Sequence, residues 1–585
     1  MRRLAVLSFV LALLANLTIL ASSASAQADT EVTVGSNDQI FSQNKQNEPA
    51  VAINPIQPNI VAAGANDNID MEACNAAEDN TCPFTPDVGG SGIYFSLNGG
   101  TSWIQPTYTG TTARNCLGVP GDSDPPCVPE QGPIGTLPRY DEVGVVSDGD
   151  PAVAWGPQPS PDGFSWDNGA RLYYANLTSN LTAGGTESFK GFEAIFVSRT
   201  DDVAGAVGGD NNAWRKPVRV SKQSSATFAD KEQIWTDNAA SSPFFGNVYV
   251  CWANFTGSGA APVRVARSTD GGDTWSQKQV SPASNVAPRH WGRTGCTIRT
   301  DSHGVVYAFW ELFQSPFFFQ PPHGELQMVQ SFDGGVSWTR PRTIQKTVDP
   351  CYFVDPVILR CVEDGVAGAR NDLAGAPSVD IANGAPTGEG ATDDILLTWV
   401  DGRRGLNNED VMVSFSGDRG ATWTAPTPIQ TGGDRGYYTA PALSPDGSDA
   451  WIVYNAFTTP FRDTTFTPRG LVGVVKHADV TPHVGPGAFA EVHRGAEGDP
   501  RGSSQNNLQA EFLGDYVYAD ATNDYATFVW NDARNAADCP AMDTYRMSLR
   551  TDGSEDDLPA PAVQQECPAT FGNTDIFGTS VNDPT

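Results

Sequence analysis

An all-β fold built by repetition is predicted by three observations. Short apolar runs recur along the whole 585-residue chain, while no long stretch places apolar residues at helical spacing. The 59 glycines and 43 prolines interrupt the chain too often for long helices. The runs also return in a fixed order, seven times over.

Each unit opens with a strand that starts at or near an acid or a small residue. These strands are EPAVAINP (48–55), DPAVAWGP (150–157), DKEQIWTD (230–237), GCTIRTDSHG (295–304), GAPSVDIANG (375–384), APALSPDG (440–447) and GDYVYADATND (514–524). An aromatic-rich strand follows, as in GNVYVCWANF, VVYAFWELF and YATFVWNDAR, and often a third, such as PVRVARS or ELQMVQS. One antiparallel unit cannot bury both of its faces, so neighbours must stack. Radial stacking of such units gives a β-propeller. Seven blades are expected, with six as the alternative because the first and last units are hard to delimit. Residues 27–585 read as one propeller domain, with disulfide-held insertions near 68–91, 104–149 and 339–373.

The third strand runs into a recurring corner. SLNGGTSW (96–103), STDGGDTW (268–275), SFDGGVSW (331–338) and SGDRGATW (416–423) share the pattern S-x-(D/N)-x-G-x-(S/T)-W. Asp270 can accept hydrogen bonds from the N–H groups of its own turn, and Gly272 can take the positive φ of a tight hairpin. A calcium loop would need further acids at alternating positions and a closing glutamate. The corners are therefore read as structural, through Asn98, Asp270, Asp333 and Asp418 with Trp103, Trp275, Trp338 and Trp423.

Other features bound the function. Two arginines, an apolar run and Ala24-Ser25-Ala26 form a secretory signal over 1–26, so an extracellular or periplasmic location is expected, with no membrane insertion after cleavage. The formal charge of −32 argues against nucleic acid and anionic lipid as partners. It also favours a structural Ca2+, although no other cofactor is called for. Ten cysteines without a CxxC point to disulfides: Cys74 with Cys82, Cys116 with Cys127, Cys351 with Cys361, and also Cys251 with Cys296 and Cys539 with Cys567. A monomer is expected.

The four corners resemble the Asp-box, or BNR, repeat of the sialidase-type propellers, with Asn98 in place of aspartate in the first copy. The resemblance implies a propeller with its corners on the face away from the active centre. It also implies a secreted glycosidase acting on an anionic terminal sugar of a glycan or glycoconjugate. Such enzymes use a tyrosine nucleophile, an activating glutamate, an acid/base aspartate and three arginines on the sugar carboxylate. YTAPALSPDG (438–447) is similar to the segment that carries the tyrosine, which makes Tyr438 the candidate nucleophile. Glu232 is the nearest substitute for the glutamate, and Asp150 and Asp230 begin strands that approach the channel. Arg403 in WVDGR, Arg534 in WNDAR, Arg289 and Arg293 in PRHWGR, and Arg435 are candidates for the sugar carboxylate. Asp401–Arg403 and Asp532–Arg534 read equally well as ion pairs. The (F/Y)-R-I-P signature of sialidases is missing.

Two other functions remain open. A non-catalytic propeller would bind glycan or protein through the ring of Glu48, Asp150, Asp230 and Glu232 or the aromatic loop 313–325. A polysaccharide lyase would use His290 beside Arg289 and Arg293. His477, His483 and His493 lack a metal-binding spacing.

Overall fold

A computed structural model describes residues 28–74, 82, 84–117, 127–182, 187–222, 224–257, 260–283, 291–315, 321–551 and 558–584. The signal segment, Arg289, His290 and residues 316–320 of the aromatic loop lie outside these residues.

The seven predicted units are seven antiparallel blades. Their first strands are Gln46–Ile53, Ala152–Ser160, Thr227–Thr236, Trp291–Thr300, Ser378–Ile381, Arg435–Leu443 and Tyr518–Ala521. Each first strand touches that of the next blade, and the seventh touches the first, so the ring closes around a channel. Thr30–Glu31 pairs along the outside of Asp575–Asn582, with Thr30 opposite Gly578. The two ends of the chain thus share the seventh blade.

The aromatic second strands form the core between blades. Trp252, Trp310, Trp399, Trp451 and Trp530 are all fully buried. Truncating one to alanine costs about 3–5 kcal/mol. All five expected disulfides are present. Cys251–Cys296 joins the third blade to the fourth, while the others staple loops. Disulfides fit an extracellular protein. Among the described residues no helix is long and apolar enough to cross a membrane.

The corners are held by one repeated hydrogen-bond pattern. Asp270 Oδ1 accepts from the N–H of Thr274 (2.9 Å) and from Ser268 Oγ (2.7 Å), and its Oδ2 accepts from Thr274 Oγ1 (2.5 Å). Asp333 and Asp418 repeat this with Ser337 and Thr422. Asn98 Oδ1 accepts from the Ser102 N–H (3.0 Å), while its amide donates to Ser102 Oγ (2.9 Å). Gly271 and Gly272 have φ of 73° and 87°, which suits a residue without Cβ. The glycines also let the corner approach the preceding blade: Arg171 Nη1 donates to Gly271 O (2.8 Å), and Arg267 Nη1 to Gly334 O (3.0 Å).

Antiparallel order places the corners at one end of the channel. The starts of the first strands lie at the other end, with the loops that join second strands to third. That end carries the long insertions 68–90, 105–151, 349–377, 495–517 and 533–574. The expected insertion 339–373 begins too early, because Arg342–Val348 is the fourth strand of its blade. Alternation is weak there, with half-exposed polar residues on both faces. The last two insertions carry no periodic signal; 533–574 contains the helix Pro540–Thr551. The stretch 476–510 contains Ala490–Arg494, which pairs along Leu471–Thr481.

Candidate active site

At the insertion end the first strands are kinked as they enter the channel. Register shifts fall between Asn47 and Ala50, Asp230 and Gln233, Thr294 and Thr297, and Gly436 and Tyr438. Glu48, Asp150 and Lys231 occupy the left-handed region, with φ of 57°, 52° and 57°. Gly295 and Gly514, at related kinks in other blades, have φ of 64° and 78°. A side chain in this region costs about 1–3 kcal/mol, so three charged residues held there mark a constrained ring.

The kinks point these side chains at one another. Lys231 Nζ lies 2.5 Å from Asp515 Oδ2, 3.1 Å from Asp150 Oδ2, and 3.8 Å from both Glu48 Oε1 and Asp230 Oδ1. Arg370, from the insertion 349–377, meets Asp515 at 2.6 Å, Asp372 at 3.4 Å and Glu48 at 3.7 Å. Phe512 backs this arrangement, with Arg370 and Lys45 both over its ring. Asn66 donates to Glu48 Oε2 (2.9 Å) and accepts from the Asp150 N–H (2.7 Å), tying two blades together.

Burial and charge then sort the protons. Burial alone would push Asp515 up, but Arg370 and Lys231 outweigh it and hold the carboxylate far below its ordinary range. Asp150 is lowered against its burial mainly by Lys231. Burial and the charge of Asp150 raise Glu48 well above the ordinary range, so the proton between these two resides on Glu48. Glu232 is raised in the same way, by burial and Asp150. Asp230, raised by burial against Lys231, lies at about 6, and Glu193, raised by burial and Asp230, at about 8. Lys231 would be lowered by burial, but its four carboxylates hold it well above an ordinary amine.

Glu232 is 5% exposed, and neither of its oxygens accepts a hydrogen bond from another residue. It lines a cavity of about 60 Å3 with Lys231, Asp515, Tyr438, Thr439 and Tyr516. The Tyr438 hydroxyl lies 3.1 Å from Arg370 O, to which it donates, and 3.5 Å from Asp515 Oδ1. Burial, Tyr437 and Asp515 push its pKa well up. The structure therefore brings Tyr438, Glu232 and Asp230 to one end of the channel.

The arginines expected on a sugar carboxylate are placed elsewhere. Arg403 Nε and Nη2 grip Asp401 at 2.8 and 2.6 Å, and Arg534 grips Asp532 at 2.9 and 2.6 Å and also bonds to Asp29. Trp399 and Trp530 donate to the same aspartates. W-x-D-x-R is thus a local corner in which one carboxylate collects an indole and a guanidinium. Arg435 faces Glu409 and Arg462, and Arg293 is buried at the start of the fourth blade's first strand. Three residues of the cluster were missed. Lys231 sits between Asp230 and Glu232 in DKEQIW, where the acids drew attention; Asp515 follows the kinked Gly514; Arg370 lies in an insertion without periodicity.

The opposite mouth is a wider basin of about 230 Å3, where Arg299 stacks 4.4 Å over Trp235 and pairs with Asp380 at 3.2 Å. Elsewhere, Asp301, His303 and Asp393, then Asp449, His477 and Asp583, and then Glu31, Asp38 and Asp575 bring oxygen and nitrogen atoms within 4.8 Å of each other. His483 pairs with Asp394 at 3.0 Å and His493 with Asp29 at 2.5 Å.

No protein family matches this chain in sequence, and no curated protein does. Solved structures do align with it. A Hadza microbial sialidase, Hz136, is 15% identical with a TM-score of 0.38; the match covers 70% of this chain but only 63% of that protein's length. The α-L-arabinofuranosidase Arb93A from Fusarium graminearum is 12% identical over 76% of this chain and 94% of its own, with a TM-score of 0.35. The intramolecular trans-sialidase from Ruminococcus gnavus is 12% identical over 73% and 94%, with a TM-score of 0.37. The likeness is one of architecture, and no feature of the site is carried over from it.

Proposed function

We propose that this protein is a secreted propeller-type glycoside hydrolase that cleaves a terminal sugar at the insertion end of the channel. One arrangement carries the reading: around a single cavity, Glu232, raised by burial and Asp150, meets no hydrogen-bond donor among the described residues, while Lys231 and Arg370 hold Asp515 low beside the Tyr438 hydroxyl. Glycoside cleavage needs this division between a protonated and an ionised carboxyl.

In the proposed reaction the ionised Asp515 carboxylate bonds to the anomeric carbon, with the Tyr438 hydroxyl beside it to steady the charge. The bond to the leaving oxygen breaks as Glu232 protonates that oxygen. The Glu232 carboxylate then takes a proton from water, whose oxygen attacks the anomeric carbon and releases Asp515 as the carboxylate. Lys231 and Arg370 keep Asp515 ionised and in place. Asp230 holds the next proton to be exchanged.

The finer expectation of a sialidase needs arginines free to bind a carboxylate, and Arg403 and Arg534 are held by aspartates. The reading therefore stays at glycoside hydrolase. A non-catalytic glycan-binding propeller is the second reading, favoured by the small cavity and its mutually paired charges. Turnover of aryl glycosides by wild type, Glu232→Gln and Tyr438→Phe separates the two. Hydrolysis lost in both variants supports the enzyme; a wild type inert on all of them supports the binding module.

A further inference from the structure

Lys231 and Arg370 are the cations of the cluster at the cavity, and both are already surrounded. Lys231 meets four carboxyl groups and Arg370 meets three. The ionised acids are still in excess: Asp150, Asp230 and Asp515 face Lys231, Asp372 faces Arg370, and Lys45, over the same Phe512 ring, is lowered by burial to about 7. Walls of low dielectric focus such a field at the mouth.

Hydrogen-bonding capacity points the same way. The buried oxygens of Glu232 have no donor among the described residues, and even a protonated carboxyl leaves its carbonyl oxygen to be filled. A ligand carboxylate brings acceptors only, whereas an ammonium or hydroxyl brings donors. A sugar seated at this cavity turns at least one substituent toward the acid side of the cluster. The side chain of Asp230, 22% exposed, is open enough to meet that substituent.

We infer that the sugar taken at this mouth carries no acid group, and that charge ranks its ligands: a free amine first, a neutral sugar second, a carboxylate last. The inference deepens the proposed function, since it rests on the cavity being a sugar site. It also departs from the anionic sugar that the corner motif implies.

The test is calorimetric binding of matched methyl glycosides to the full mature protein. Glucosaminide, glucoside and glucuronide form one set, with the same three groups on galactose and mannose rings, and N-acetylneuraminic acid as an added acid. The amine is expected to bind at least about tenfold more tightly than the acid of the same ring, a difference of about 1.4 kcal/mol. That gap should shrink at high salt and in Asp230→Asn, or in Asp372→Asn should the first variant not fold. An acid that binds as tightly as its neutral partner overturns the inference, as does the absence of binding in every set. Turnover of the corresponding aryl glycosides is read separately. Turnover without the ranking overturns only the inference, and the ranking without turnover overturns only the hydrolase.

Discussion

The two ends of the channel are built from the same seven repeats and have opposite characters. At the corner end Asp270, Asp333 and Asp418 each satisfy their oxygens with donors from their own turn, and glycine supplies the positive φ everywhere but at Arg419 (φ 56°). At the insertion end Glu48, Asp150 and Lys231 take that conformation with full side chains, and carboxyl groups crowd against one amine. The corner end satisfies its carboxylates turn by turn, whereas the insertion end crowds carboxyl groups from several blades against one another. A repeat can spend its regular end on stability and keep its irregular end for chemistry.

Breaking the charged ring should have the largest effect on stability. Lys231→Met leaves Asp515 and Asp150 facing each other in the channel with Arg370 alone to balance them. A loss of about 3–5 kcal/mol in urea unfolding is expected. A loss below about 1 kcal/mol would mean that the ring does not hold the blades together.

The next effect is pH dependence. Burial raises Asp230 to about 6, Glu193 to about 8, and Asp520 and Asp575 to about 7. The folded state therefore binds more protons than the unfolded chain between pH 4 and 8. Stability from these groups is complete below their unfolded values and is lost as pH rises through the folded ones. Asp515 has the opposite sign: its contribution is present above about 4 and is lost as pH falls. The unfolding midpoint should peak in mildly acidic buffer and fall as pH rises from there to 8. A midpoint that rises steadily to pH 8 would show that these carboxyls are ionised in the fold.

Changes at the corner end should be smaller and silent in function. Asp270→Ala removes the acceptor of two turn N–H groups and should cost about 1–2 kcal/mol with turnover unchanged. Asn98→Asp completes the pattern of the other three corners and should add only about 0.5 kcal/mol, read as a small rise in thermal midpoint. A drop in turnover with either substitution would erase the contrast between the ends.

Much of the architecture was legible because repetition amplifies weak signals. Seven strand starts, four corners and five cysteine pairs were readable from spacing alone. The site was only half legible. Glu232 and Asp230 lie on a strand that the repeat pattern exposes, whereas Tyr438 is legible only through the resemblance of its segment. Arg370 comes from an insertion with no period, and a lysine flanked by acids looks like ordinary solvated charge until the ring closes around it. Arg403 and Arg534 misled for a local reason. An aspartate two residues before an arginine lets one carboxylate accept both the arginine's N–H and its fork, as at Asp401 (2.9 and 2.8 Å), so the spacing encodes a turn.

The central claim is that Glu232 gives its proton to the leaving group, and leaving-group dependence tests it most directly. Glu232→Gln should turn over a glycoside with a poor leaving group about 10²–10⁴-fold more slowly than wild type. With a dinitrophenyl leaving group, which departs without protonation, it should recover most of the rate of the first step. Equal losses on both substrates, or no loss on the poor one, would contradict the account.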